Sequence, residues 1–285
     1  MRVVGFQNPH RNMKKSTSRS CLLGFALPLL TTAGSVVSAV TVNIDFGLTD
    51  NHPDGEVTAL YSGTAAAPDS GTVWNEVTVV DNSAFTGPPG EFGFWTTNVS
   101  VPGLVDSQGL ATTLGVTIHA AGPDGTGAFG ILAGSTNIGA VATDAVNLMR
   151  DYLIGFGDPR TVEITGFGPG TMVDLYLYGA GDTDNRDTTF AVTDVNGLHT
   201  ATTTGTITGD GGSPVSHTLT LGGDYVVLSG LVADATGMIT VSYDNGLGSG
   251  EAPFNGLQAV YTVPEVSSLL LSLGALPFLL VRRRI

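Results

Sequence analysis

The sequence predicts an all-β protein, a sandwich or barrel with one short helix. Three observations predict it. Short apolar–polar alternating runs recur along the chain, which is the pattern of half-buried strands. Their separators are turn chemistry: Gly-Pro-Gly, Asp-Thr-Asp-Asn, Val-Asn-Gly, Gly-Asp-Gly-Gly and Gly-Gly-Asp. The 285 residues include 40 glycines, while lysine and glutamate are scarce and long helical patterns almost absent.

In order, Val40–Phe46 reads as a first strand and Thr49–Gly55 as a turn. Val57–Tyr61 and Val73–Val80 read as strands, with Gly87-Pro88-Pro89-Gly90 as a firm break. Phe92–Trp95 and Val99–Val101 read as a pair or an irregular excursion, and Thr112–Ala120 as a strand. Asp144–Ile154 predicts the one helix, a lid over one end of the sandwich, with Asp144 as N-cap and Gly155 as terminator. The back half is denser in strands: Thr161–Thr165, Met172–Tyr178, Thr188–Thr193, Leu198–Thr203, Val215–Leu221, Tyr225–Ser229, Met238–Tyr243 and Leu257–Thr262. With no clear repeat or interior linker, 40–262 reads as one domain.

The two ends read as export signals. Arg2, Arg11, Lys14, Lys15 and Arg19 precede an apolar run, Cys21–Leu30, and the small residues Val37-Ser38-Ala39. That order is a signal peptide, residues 1–39, cut by signal peptidase between Ala39 and Val40. Cys21 stands at the head of the apolar run instead of following it, which disfavours lipidation. Met13 is a more typical start than Met1. At the other end, 263–285 runs from Pro264-Glu265 through an uncharged segment to Arg282, Arg283 and Arg284. Its sixteen-residue apolar stretch spans about 24 Å as a helix, short against a hydrocarbon core of about 30 Å. The arginines hold that end on the cytoplasmic side. A plain membrane helix is one reading. The other follows from the order Pro-Glu, apolar helix, Arg cluster, which resembles the PEP-CTERM sorting signal of Gram-negative, exopolysaccharide-producing bacteria. Val266 stands where that family usually has proline. The resemblance implies recognition by an exosortase, removal of the tail, and passage from the envelope membrane to the cell surface or extracellular matrix.

Between the signals the chain holds three arginines, no lysine and 24 of the 25 acids, a formal charge of −21. Such a surface repels nucleic acid and anionic lipid, and it is compatible with calcium or neutral glycans. The exported span has no cysteine, so no disulfide braces it.

A second resemblance lies within that span. TVEITGFGPGTMVDLYLY (Thr161–Tyr178), then TTFAV, YVVLSGL and FNGLQAV, look like galactose-binding-like jelly-roll domains. Fibronectin type III is the alternative, although Val173 replaces the tyrosine usual at its corner. The jelly-roll resemblance implies a jelly-roll-like β-sandwich and glycan binding. The whole chain then reads as that sandwich with one short helix, flanked by an N-terminal signal helix and a C-terminal transmembrane helix.

Candidate sites follow from residue chemistry. Trp74, Trp95, Tyr61 and Phe254 are candidate sugar-stacking faces, with Asn255 and Asp244 as hydroxyl contacts. Asp182, Asp184 and Asp187 crowd one loop with oxygen ligands suited to calcium, although Arg186 breaks the EF-hand pattern. Asp45, Asp50 and Asp54 form a looser acidic group. Gly125–Gly130 matches G-x-G-x-x-G, but no helix pattern opens there and an exported chain seldom meets NAD, so it reads as a Gly-rich loop. No G-x-S-x-G, H-E-x-x-H or metal-spaced histidine set is present. The sequence therefore predicts a non-enzymatic, exported matrix or surface protein that binds extracellular polysaccharide or packs within it, with no required cofactor. An extracellular carbohydrate-active hydrolase is the alternative.

Overall fold

The structure is a computed structural model. It describes residues 37–49, 60–80, 92–95, 97–120, 128–132, 148–149, 151–155, 159–181, 186–206, 219–245 and 252–264. All of these lie in one unit, Ser35–Ser267.

Two sheets face each other across one core. The first has five strands in the order β14(Tyr225–Val232), β9(Met172–Tyr178), β17(Gly256–Pro264), β1(Val37–Thr49) and β2(Asn75–Val80). The second has six: β12(Gly197–Thr203), β11(Thr188–Asp194), β15(Ile239–Asp244), β8(Arg160–Thr165), β5(Gly115–Ile118) and β4(Val99–Pro102). The back-half chain repeatedly switches sheets, from β8 to β9, back to β11, on to β14, and through β15 to β17. That alternation makes the sandwich jelly-roll-like. Among the described strands of these sheets, only β1 and β2 form a parallel pair.

Period-two alternation decides what lies between the sheets. Val42, Ile44 and Phe46 of β1 point inward with Val173, Leu175 and Leu177 of β9. They meet Val162 and Ile164 of β8 and Ile239, Val241 and Tyr243 of β15, all within 3 % of complete burial. A third sheet, β16(Ala252–Phe254)–β7(Asp151–Gly155)–β6(Ala128–Leu132)–β3(Phe92–Trp95), joins at one end. Phe254 is fully buried where the three sheets meet. Its ring packs edge-on against Phe46 at 4.9 Å, Phe190 at 4.9 Å and Tyr243 at 5.1 Å. A short parallel pair, β10(Ala180–Gly181) and β13(Gly205–Thr206), completes the described strands.

Several expectations are corrected. The helix over Asp144–Ile154 does not run its length: Leu148 and Met149 are helical, but Asp151–Gly155 is strand β7. The apolar Tyr-Leu-Ile run serves a buried strand as well as a helix, and pairing with β6 and β16 decides. The Gly-rich stretch is likewise not all loop, since Ala128–Leu132 forms β6. Leu60 and Tyr61 are not in a strand. β3 and β4 do not pair with each other; they pair with β6 and β5. Val215–Thr218 and the two terminal helices lie outside the described residues. Among the described residues no helix is long and apolar enough to cross a membrane.

Gly237 closes the turn before β15 at φ +77°, and a Cβ there would overlap the carbonyl oxygen of Phe167. The Phe167 N–H donates to the Gly237 carbonyl at 3.1 Å, so the two backbones cannot part cheaply. Gly237→Ala is expected to cost about 2 kcal/mol or more, from left-handed strain plus the clash. Thermal and urea melts read this loss.

Candidate functional site

The outward face of the five-stranded sheet carries a line of aromatic side chains. β9 sets it up: Val173, Leu175 and Leu177 go to the core, leaving Asp174, Tyr176 and Tyr178 on the other face. Tyr225 of β14 stands opposite Tyr178, and Tyr176 stands diagonal to Tyr225. The segment 60–74 folds over one end of this face. Tyr61 meets Trp74 edge-on at 5.0 Å, Trp74 lies 6.4 Å from Tyr178, and Tyr178 lies 5.8 Å from Tyr225. The line ends at Tyr176 and Tyr225, with centroids 6.4 Å apart and planes inclined by only 28°.

The root of this line is sealed and hydrogen-bonded. Tyr61 is 2 % exposed, Trp74 4 % and Tyr178 0 %. The Tyr61 hydroxyl donates to the Thr64 carbonyl and the Trp74 indole N–H to the Gly63 carbonyl. The Tyr178 hydroxyl donates to Gln258 Oε1 and accepts from the Ala66 N–H. Gln258 Nε2 donates to Asn43 Oδ1 at 2.9 Å, and Asn43 Nδ2 to the Val73 carbonyl at 2.9 Å. Burial raises the Tyr178 phenol well above its usual range.

The open end differs. Tyr176 and Tyr225 are half-buried, and neither hydroxyl has a hydrogen-bond partner among the described residues. Burial chiefly, then the charges of Asp174 and Tyr225, raise the Tyr176 phenol, so its hydroxyl stays a protonated donor at neutral pH. Asp174 lies beside them on the same face, where its Oδ1 accepts the Gly230 N–H at 2.7 Å. That contact exists because β14 shifts register between Leu228 and Leu231, with Gly230 at φ +69°. The result is a nearly parallel ring pair, its two hydroxyls without a partner among the described residues, and an adjacent carboxylate. Such a surface can stack a pyranose C–H face and bond its hydroxyls.

The sequence makes Tyr61 and Trp74 candidate sugar faces; the structure makes them the buried support of that pair. A ring packed edge-on in a core has no face to offer. Phe254 is corrected for the same reason. Asn255 is also fully buried: its Nδ2 donates to the Met149 carbonyl at 3.1 Å and its Oδ1 accepts the Ala180 N–H at 2.9 Å. It fixes the corner between β16 and β17 from a fully buried position. Asp244 is half-buried in β15, and burial raises its carboxyl. The Trp95 backbone lies in β3, and its side chain is outside the described residues. Tyr176 and Tyr225 escaped the sequence reading, although the alternation in MVDLYLY already placed Asp174, Tyr176 and Tyr178 on one face.

Of the predicted calcium ligands, Asp182 and Asp184 lie outside the described residues. Asp187 is 4 % exposed, and Arg186 beside it donates to the Tyr152 hydroxyl. Among the described residues no group of three His, Cys, Asp or Glu is placed to hold a metal. Asp45 is not an open ligand either: it is 3 % exposed in β1, where its Oδ2 accepts the Tyr61 N–H at 3.0 Å. Burial foremost pushes its carboxyl up to about 7; the Tyr61 N–H opposes the shift and Glu76 on β2 adds to it. Asp50 and Asp54 lie outside the described residues. Ala39 and Val40 lie within β1 and Pro264 ends β17. Glu265, Arg282, Arg283 and Arg284 lie outside the described residues.

No protein-family model matches the chain. No curated protein matches it. Among solved structures, the CBM36-1 domain of a multidomain xylanase from the hindgut metagenome of Trinervitermes trinervoides is 15 % identical. That match covers 38 % of this chain and 75 % of that one, at a TM-score of 0.24. TmCBM61, solved with β-1,4-galactotriose, is 11 % identical over 41 % of this chain and 72 % of its own, at 0.20. An isomalto-dextranase of Arthrobacter globiformis T6, complexed with panose, is 14 % identical over 58 % and 23 %, at 0.22. At these scores the likenesses carry no argument about ligand or activity, and the fold stands on the strand pairing itself.

Proposed function

We propose that this chain is an exported, non-enzymatic polysaccharide-binding protein whose contact face is Tyr176 and Tyr225, flanked by Asp174. One observation carries the reading: a near-parallel, half-exposed tyrosine pair whose hydroxyls have no partner among the described residues, held by a sealed aromatic and hydrogen-bonded support. A hydrophobic core has no need of hydroxyls left unpaired, whereas a sugar ring uses both the faces and the hydroxyls. The formal −21 of the exported span favours neutral or amine-bearing glycans over uronic-acid polymers. Asp45, the carboxyl held near 7, is sealed from solvent and does not face a substrate. Export through the signal peptide, followed by exosortase sorting of the Pro264-Glu265 tail, carries the protein to the cell surface or extracellular matrix.

A glycan array with the folded protein, followed by calorimetry, tests the binding face. Tyr176→Ala and Tyr225→Ala are each expected to lower affinity about tenfold or more, with unchanged circular dichroism. Neutral galactans or chitosan are expected to bind and alginate not. Absence of any glycan ligand, or affinity indifferent to both substitutions, overturns the reading. Intact-mass analysis of medium and membranes tests the sorting. A released species lacking residues after about Pro264 supports it, and a full-length chain confined to membranes overturns it.

A further inference from the structure

β1 and β17 pair antiparallel from Asp45 opposite Gly256 to Val37 opposite Pro264. Their outer neighbours stop short. β2 pairs with β1 only from Ile44 onward, and β9 pairs with β17 only up to Tyr261. Val37–Ala39 and Thr262–Pro264 therefore form a two-stranded ribbon reaching past the sheet. Ser38, Ala39, Thr262 and Val263 are exposed. Among the described residues, Thr262–Pro264 pairs with nothing except Val37–Ala39.

The expected signal-peptidase position, after Ala39, falls inside this ribbon. We infer that removal of Val37–Ala39 releases Thr262–Pro264 from strand pairing and so opens the C-terminal processing segment to its enzyme. The first cut is hydrolysis of the Ala39–Val40 amide: water gives its hydroxyl to the Ala39 carbonyl carbon, and a proton leaves Val40 with a free amine. Val40 opposite Tyr261 then becomes the last pair. A two-stranded ribbon is marginal in water even when intact, and a single three-residue strand has no partner to hold it. Enzymes that take extended peptides bond the backbone groups that the ribbon now occupies. Pro264 lacks an N–H and cannot extend the ladder. The fold thereby orders the two processing events, the amino end first. The inference rests on the export reading, and it stands whether or not a glycan binds.

The test uses the full chain in an export-competent bacterial host, with intact mass to read the N-terminus and hydrogen exchange to read the ribbon. Ala39→Arg blocks the first cut by removing the small residue it needs. In wild-type protein starting at Val40, the Val263 amide is expected to exchange about tenfold or more faster than in Ala39→Arg, with Leu257–Val260 unchanged. Adding Ser38→Pro to Ala39→Arg removes a backbone donor without a cut and is expected to restore the fast exchange. Equal protection in cut and uncut chains overturns the inference, as does a mature N-terminus upstream of Val37. If Ala39→Arg fails to fold, seen as lost protection at Leu257–Val260, the wild-type chain decides alone. Val263 as protected as Val260 in a chain starting at Val40 overturns the inference, and fast exchange there supports it.

Discussion

Phe254→Ala is expected to cost about 3–5 kcal/mol, the range for truncating a buried aromatic. The site makes the upper half of that range the expectation. Phe254 is fully buried and makes three edge-on contacts, to Phe46 of the five-stranded sheet and to Phe190 and Tyr243 of the six-stranded sheet. Each such pair adds to area burial alone. Collapse around the cavity requires two sheets to approach at one end, and their hydrogen-bonded ladders resist that. For a domain of this size the loss lowers the melting temperature by about 10 °C. Urea denaturation gives the free energy directly. Phe254→Leu, which keeps most of the volume, is expected to lose less than half as much. An alanine variant with an unchanged midpoint would mean that Phe254 is not the joint between the sheets.

Asp45→Asn is expected to stabilise the protein, and only above acidic pH. The Asp45 carboxyl titrates near 7 in the folded chain and at its ordinary 3.8 when unfolded. Below about pH 4 both states hold the proton and nothing is lost. Between 4 and 7 the unfolded state ionises while the folded state stays neutral, so stability falls as pH rises. Above 7 both states are ionised and the loss is constant. Three pH units correspond to roughly 4 kcal/mol, an order-of-magnitude figure for a carboxyl this buried. Asparagine keeps an acceptor for the Tyr61 N–H but never ionises, so it removes that loss. Urea midpoints for wild type and Asp45→Asn are expected to coincide near pH 4 and separate progressively toward pH 8. Parallel curves across this range would place the Asp45 pKa at its ordinary value.

A carboxylate sealed in this position was not visible in the sequence, and the reason is general. In VTVNIDF the alternation correctly sends Val42, Ile44 and Phe46 to the core and marks Thr41, Asn43 and Asp45 as the outward, polar set. On a sheet open to water that set would be solvated. Here the segment 60–74 covers it, so Asn43 enters a hydrogen-bonded chain with Gln258 and Tyr178 while Asp45 loses its water. Local pattern specifies which face a side chain takes; a distant segment specifies whether that face is wet.

The same division runs through the molecule. The sequence alone determined the strand-rich class, most back-half strands, the acidic character of residues 40–264 and the two signal-like ends, because these depend on period-two patterning, turn residues and composition. β9 and β11 begin at the predicted residues and end within one residue of them. Tertiary structure decided what depends on neighbours. It made Asp151–Gly155 a strand, because β6 and β16 offer ladders on both sides. It sank Tyr61, Trp74 and Phe254 and left Tyr176 and Tyr225 half-open, because aromatic residue type is the same in a core and on a surface. It also set Val37–Ala39 beside Thr262–Pro264, more than 200 residues apart in sequence. Neither segment contains any trace of the other, and only the register of the closed sheet brings the two predicted processing points together.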